Sequence, residues 1–168
     1  MDAADDLDVR AEDFGFGVMC AMRFGHVNLI ARDWQRLVKF YQEVFGCTVA
    51  GPERDLHGDL LERGTRLPGA RLHGVHLRLP GHGEAGPTLE IFSYEQSEVA
   101  APVLPNRTGF GHIAFIVPDV AAAQQTVLAA GGSRHGDIVT TTAGERKVTW
   151  VYMRDPEGNL VELQTWSA

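Results

Sequence analysis

With 168 residues, 44% of them hydrophobic and 22% charged, the chain is long enough to bury a core as one compact unit, so disorder is not its default. No apolar run approaches the length of a membrane span, and the acidic N-terminus lacks the basic region of a signal peptide, so the expectation is a cytoplasmic protein without a membrane partner. The net charge of −7 gathers at the start, where Asp2, Asp5, Asp6, Asp8, Glu12 and Asp13 are balanced only by Arg10. A solvated, poorly ordered tail over residues 1–22 is expected there, and nothing basic or interleaved with aromatics points to nucleic acid. Cys20 and Cys47 fit no CxxC pattern and read as free thiols in a reducing compartment.

Past the tail, Phe24 to Ala31 alternates in period two and predicts a strand. Asp33 stands at an N-cap position, Trp34, Leu37, Val38, Tyr41 and Phe45 recur at helical spacing, and Gly46 ends the pattern. A short strand is expected at Thr48 to Ala50, then a long loop or lid from Gly51 to Gly69, rich in glycine, proline and charge. Strands follow at Arg71 to Leu79 and Thr88 to Ser93 across a Pro- and Gly-rich turn. Residues 95–108 read as a linker, after which the order restarts. Gly109 to Val117 is a strand, Asp119 a second cap, Val120 to Ala130 a helix stopped by Gly131-Gly132. Three strands close the chain at Ile138 to Thr142, Glu145 to Met153 and Leu160 to Trp166, the last two joined through Asp155-Pro156-Glu157-Gly158-Asn159. Each half reads βαβββ, with modules at 23–94 and 109–168. The fold class is α+β: tandem modules in a curved, partly open mixed sheet with helices outside.

The halves also share a phrase. Phe24-Gly25-His26 returns as Phe110-Gly111-His112, and Leu89-Glu90-Ile91 matches Val161-Glu162-Leu163. Strand alternation sends Val27, Leu29, Leu89, Ile91, Ile113, Phe115, Val161 and Leu163 toward the helices. His26, Glu90, His112 and Glu162 then occupy the opposite face. A lone strand histidine is more often a hydrogen-bonded core residue than a ligand, and a lone strand glutamate is usually a surface group. Four at repeat-equivalent positions instead suit one divalent ion, with two nitrogen and two carboxylate donors and coordination positions left open. Asn28, Phe92, Gln164 and Trp166 share that face and are expected to line a substrate pocket. His57, His73, His82 and His135 have no repeat partner and read as surface residues, while His76 is evenly balanced between pocket lining and packing.

The duplicated βαβββ pattern, the strand histidine and late glutamate of each half, and the closing Asp155-Pro156-Glu157-Gly158-Asn159-Leu160-Val161-Glu162-Leu163 resemble the vicinal oxygen chelate superfamily over roughly residues 23–166. This superfamily includes glyoxalase I, methylmalonyl-CoA epimerase, extradiol dioxygenases and antibiotic resistance proteins. The order His-Glu-His-Glu is similar to its glyoxalase and epimerase branch. That resemblance implies a lyase or isomerase that removes a proton beside a carbonyl of a small-molecule substrate, through an enediolate stabilised by nickel, cobalt, zinc, manganese or iron. Glu162 and Glu90 would be the acid–base pair. It also implies a homodimer, with the four ligands drawn either from one chain or from two. Val27-Asn28-Leu29-Ile30 and Ile91-Phe92-Ser93-Tyr94 lack the arginine and asparagine with which bacterial glyoxalases hold glutathione, and Gly111-His112 replaces the epimerases' His-His pair. The resemblance therefore implies a reaction class rather than a named substrate. The alternatives are a ferrous ring-cleavage dioxygenase and a non-catalytic small-molecule (antibiotic) binding protein.

Overall fold

A computed structural model describes residues 22–98 and 101–168. The acidic tail expected over 1–22 lies, but for Met22, outside the described residues, as does Cys20. The first half runs β1 (His26–Ile30), α1 (Trp34–Phe45), β2 (Thr48–His57), α2 (Asp59–Thr65), β3 (Arg71–Arg78) and β4 (Thr88–Tyr94). The second runs β5 (Ile113–Ile116), α3 (Val120–Ala129), β6 (Ser133–Arg134), β7 (Val139–Ala143), β8 (Arg146–Arg154) and β9 (Leu160–Ser167). The fold is α+β, with two open mixed sheets, one from each half. Their orders are β1-β4-β3-β2 and β5-β9-β8-β6, with β7 also on β8. In both, the first strand lies parallel to the last and forms an edge of the sheet among the described residues.

The helix boundaries follow from local chemistry. Asp33 accepts from the Arg36 amide and starts α1, and Gly46 ends it at φ 69, where an L side chain would be strained. Asp119 caps α3 in the same way through the Ala122 amide. The expected loop from Gly51 to Gly69 is corrected by the structure. Strand β2 continues to His57 across a bulge between Ala50 and Arg54, and α2 follows it. Gly51 and Pro52 fall in that bulge, where the ladder is interrupted and neither weakens the pairing. Beyond it, Arg71 of β3 donates to both carboxylate oxygens of Asp55, at 2.9 and 2.8 Å.

That bidentate pair holds the Asp55 carboxyl down to about 2. A carboxyl depressed in the folded state contributes stability above its unfolded value, and that contribution disappears as pH falls from about 4 toward 2. Acid titration of Asp55→Asn followed by circular dichroism should accordingly show a flatter loss of stability in this window than the parent chain. An unchanged profile would remove the pair from the account.

One core joins the halves. Leu37, Phe40 and Tyr41 of α1 are buried together with Leu89 and Ile91 of β4, Val151 and Met153 of β8, and Val161 and Leu163 of β9. Phe45 of α1 stacks on Phe115 of β5 at 3.8 Å between ring centroids. Tyr41 also donates its hydroxyl to Asp155, at 3.1 Å, in the turn between β8 and β9. Asp155 is 3% exposed and takes the Glu157 and Asn159 amides on its other oxygen. Burial raises its carboxyl pKa despite these donors. In the same turn Glu157 accepts from Arg32 and from the Asp33 amide, tying the loop before α1 to the second half. Cys47 is a buried free thiol, pushed up to about 11 by that burial.

Candidate metal centre

Register places the site residues in rows across each sheet. His26, Thr88, Arg78 and Thr48 lie side by side across the first sheet, and the next row is Asn28, Glu90, His76 and Ala50. Phe92 and Gly74 follow in the third row, where a Cβ on Gly74 would collide with the Phe92 ring and backbone, so glycine leaves the space that the ring occupies. Phe92 is thus buried outside the common core, with its ring edge-on to His76 at 6.1 Å. In the second sheet Ala114, Glu162 and Tyr152 share a row, and His112 precedes the first residue of β5. Tyr152 is therefore the positional counterpart of His76.

Each half brings one predicted histidine to its glutamate. His26 Nε2 lies 3.2 Å from Glu90 Oε2, and His112 Nε2 lies 2.8 Å from Glu162 Oε2. Both glutamates are mostly buried, whereas the side chain of His26 is half exposed. The two pairs belong to different sheets, and among the described residues no hydrogen bond or ion pair connects them. Consistently, no group of three His, Cys, Asp or Glu side chains among those residues forms a ready metal cage.

Within the first pair the carboxylate is gripped from several sides. Asn28 Nδ2 donates to Glu90 Oε2 at 3.2 Å, and His76 Nε2 lies 2.6 Å from Oε1. The latter contact is short but poorly directed, since the oxygen lies off the line of a ring N–H and Nε2 has no well-formed hydrogen bond. His76 Nδ1 meets the Thr88 hydroxyl at 2.9 Å. Burial lowers the His76 pKa, with Glu90 opposing that shift in part. In the second pair, the Tyr152 ring lies 4.9 Å from the His112 ring. Burial and then the Glu162 charge raise the Tyr152 phenol. The predicted pocket residues Gln164 and Trp166 bond to each other at 2.9 Å, and Arg146 lies over the Trp166 ring. Thr88 and Tyr152 were not expected from the sequence. Their signal is the cross-strand register, which single-strand alternation does not supply.

The donor chemistry fits a divalent ion. Neighbouring ligands bound at about 2.0–2.2 Å stand roughly 3 Å apart, close to the separation within each His–Glu pair. Imidazole and carboxylate are also the donor types that zinc, nickel, manganese and ferrous iron accept.

The family model described as Glyoxalase/Bleomycin resistance protein/Dioxygenase superfamily matches residues 23–163. The chain belongs to this superfamily. It is similar to a 2-epi-5-epi-valiolone epimerase from Actinomyces sp., with 33% identity covering 89% of this chain and 82% of the relative. It is also similar to a lactoylglutathione lyase from Haemophilus influenzae, with 27% identity covering 84% of this chain and 91% of that protein. A crystal structure of a glyoxalase family protein from Bacillus cereus superposes with a TM-score of 0.73 at 17% identity, covering 90% of this chain and all of the other. That likeness shows the superfamily fold. No helix among the described residues is long and apolar enough to cross a membrane.

Proposed function

We propose that the chain is a divalent-metal-dependent lyase or isomerase that moves a proton on a carbon beside a carbonyl, and that it works as a homodimer. The observation that carries this reading is the repeated His–Glu pair, His26 with Glu90 and His112 with Glu162, at equivalent positions of two sheets. Relatives named as an epimerase and as a lyase support the same class.

Each pair stands beside a free edge of its sheet, β1 or β5. Apolar side chains are exposed along both edges: Phe24 at 66%, Ile30 at 46%, Phe110 at 97% and Ile116 at 76%. Setting β1 of one copy beside β5 of another would cover these side chains and bring the complementary half-sites together. Modules 23–94 and 109–168, with 95–108 as linker, would thus serve two shared sites.

A divalent ion held by His26, Glu90, His112 and Glu162 would supply the Lewis-acid charge needed to ionise so weak a carbon acid, contributing several kcal/mol. Glu162 takes the proton from carbon and Glu90 faces it across the site, an arrangement that lets two carboxylates serve opposite sides of one carbon. Asn28 orients Glu90, while Phe92, Gln164 and Trp166 wall the substrate and exclude water.

The test is solvent deuterium incorporation into a panel of small 2-oxo compounds, hydroxyketones and hemithioacetals. Label entering beside the carbonyl, lost on chelation and restored by nickel, cobalt, zinc or manganese, is expected. Absence of exchange across the panel, with oxygen consumption on a catechol, would instead place the chain with the ring-cleavage dioxygenases. A metal at about 100 times its Kd should also stabilise the fold by about 2.7 kcal/mol, or roughly 5–10 °C in Tm. A melting curve indifferent to all four metals would contradict the centre itself.

A further inference from the structure

We propose that His76 is a positioning residue that holds Glu90 in its ligating orientation, and that the two halves have diverged in how they support their ligands. This inference rests on the metal-centre reading above and adds to it a residue outside the repeated set.

The backbone sets the geometry. His76 and Glu90 are direct partners across β3 and β4, so their side chains leave the same face of adjacent strands. His76 Nδ1 meets the Thr88 hydroxyl at 2.9 Å, which turns the other ring nitrogen, Nε2, toward Glu90 Oε1 at 2.6 Å. Asn28 and His26 hold the other oxygen, both at 3.2 Å. The carboxylate is thereby confined at both ends. Because Oε1 lies off the N–H line, His76 confines it by close packing and polarity more than by an aligned hydrogen bond. The His76 side chain is only 13% exposed, and its ring meets His26 edge-on at 5.8 Å and Phe92 at 6.1 Å, which restricts its rotation.

The second half places Tyr152 where the first has His76, opposite Glu162 across β8 and β9. The tyrosine ring packs on His112 instead. Support thus falls on the carboxylate in the first half and on the imidazole in the second. Glu90 is the more tightly held carboxylate, contacted by His26, His76 and Asn28, whereas among the described residues Glu162 is paired with His112, in line with its role as the base. Groups that orient a ligand typically change metal affinity 10- to 100-fold when removed, roughly the effect expected here.

Cobalt titration against a competing chelator, with melting of the metal-free protein, tests the assignment on the full chain. His76→Leu should weaken cobalt binding about 10- to 100-fold while leaving the cobalt absorption spectrum in the same coordination class. His76→Gln, whose amide can still donate toward Oε1, should recover most of the affinity. Parent-like affinity in His76→Leu would overturn the proposal, as would equal losses in both variants matched by equal falls in metal-free Tm, the signature of a purely structural role. A spectrum showing one nitrogen donor fewer would make His76 a ligand and overturn the positioning assignment. Failure of the parent chain to bind cobalt would count against the metal-centre reading itself, an outcome separate from all of these.

Discussion

Asp155→Ala should cost roughly 3–5 kcal/mol of stability, about 6–20 °C in Tm for a chain of this size. The estimate follows from what the carboxylate satisfies. It accepts from the Tyr41 hydroxyl and the Asn159 side chain on one oxygen and from two turn amides on the other, in a position 3% exposed. Truncation strands the hydroxyl of Tyr41, which has no exposure of its own, and loosens the turn that positions β9 and hence Glu162. Asp155→Asn preserves shape, keeps an oxygen for the two turn amides and removes the burden of a buried charge, but sets an NH2 against the Asn159 amide donor, so it should lose less than alanine without matching the parent. Its carboxyl pKa is raised by burial, which means that ionisation disfavours the folded state and stability drawn from this group declines as pH rises past the ordinary carboxylate value. The asparagine variant should lack that decline. Equal stability of the alanine variant and the parent in urea unfolding would show that the turn is held by other contacts.

Loss of one histidine should abolish metal binding in a pattern that reports how the centre is assembled. His112→Ala and His26→Ala should each fall below detectable cobalt binding at micromolar metal, with metal-free Tm changed by less than the scatter of about 2 °C, since both side chains are substantially exposed. Mixing the two variants under exchange conditions gives the informative result. If sites are shared across copies, a mixed dimer carries one doubly damaged site and one intact site, and because random exchange makes about half of the dimers mixed, binding returns to about a quarter of the parent stoichiometry. If each chain builds its own centre, mixing restores nothing.

Much of this architecture is legible in the sequence because it depends on local signals. Asp33 and Gly46 bracket a helix whose apolar spacing is plain, and the Asp155 to Asn159 turn announces the last hairpin. Alternation also assigns the faces of β1, β4 and β9 correctly, which is why His26, Glu90 and Glu162 stand apart from the core. Strand β2 is hidden beyond Ala50, because Gly51, Pro52 and a run of charges look like a loop until Arg71 supplies a partner for Asp55 from sixteen residues away. The two-residue strand β6 is too short to leave a periodic trace. His76 shows the deeper limit. Periodicity states which side of a strand a residue faces and is silent about its neighbour on the next strand, so the contact with Glu90 emerges only from register. For the same reason the sequence brings four candidate ligands, two His and two Glu, to one kind of face without revealing that they stand in two sheets.

The edge positions of β1 and β5 among the described residues also bear on aggregation. An unpaired strand offers a row of backbone donors and acceptors to any extended chain, and flanking apolar side chains such as Phe110 and Ile116 strengthen that attraction. Pairing these edges between two copies closes the template, whereas isolated copies leave it open to indiscriminate, fibre-like growth. If the proposed dimer pairs these edges, substitutions that weaken the pairing should reveal themselves as aggregation during expression, before any assay of turnover is made.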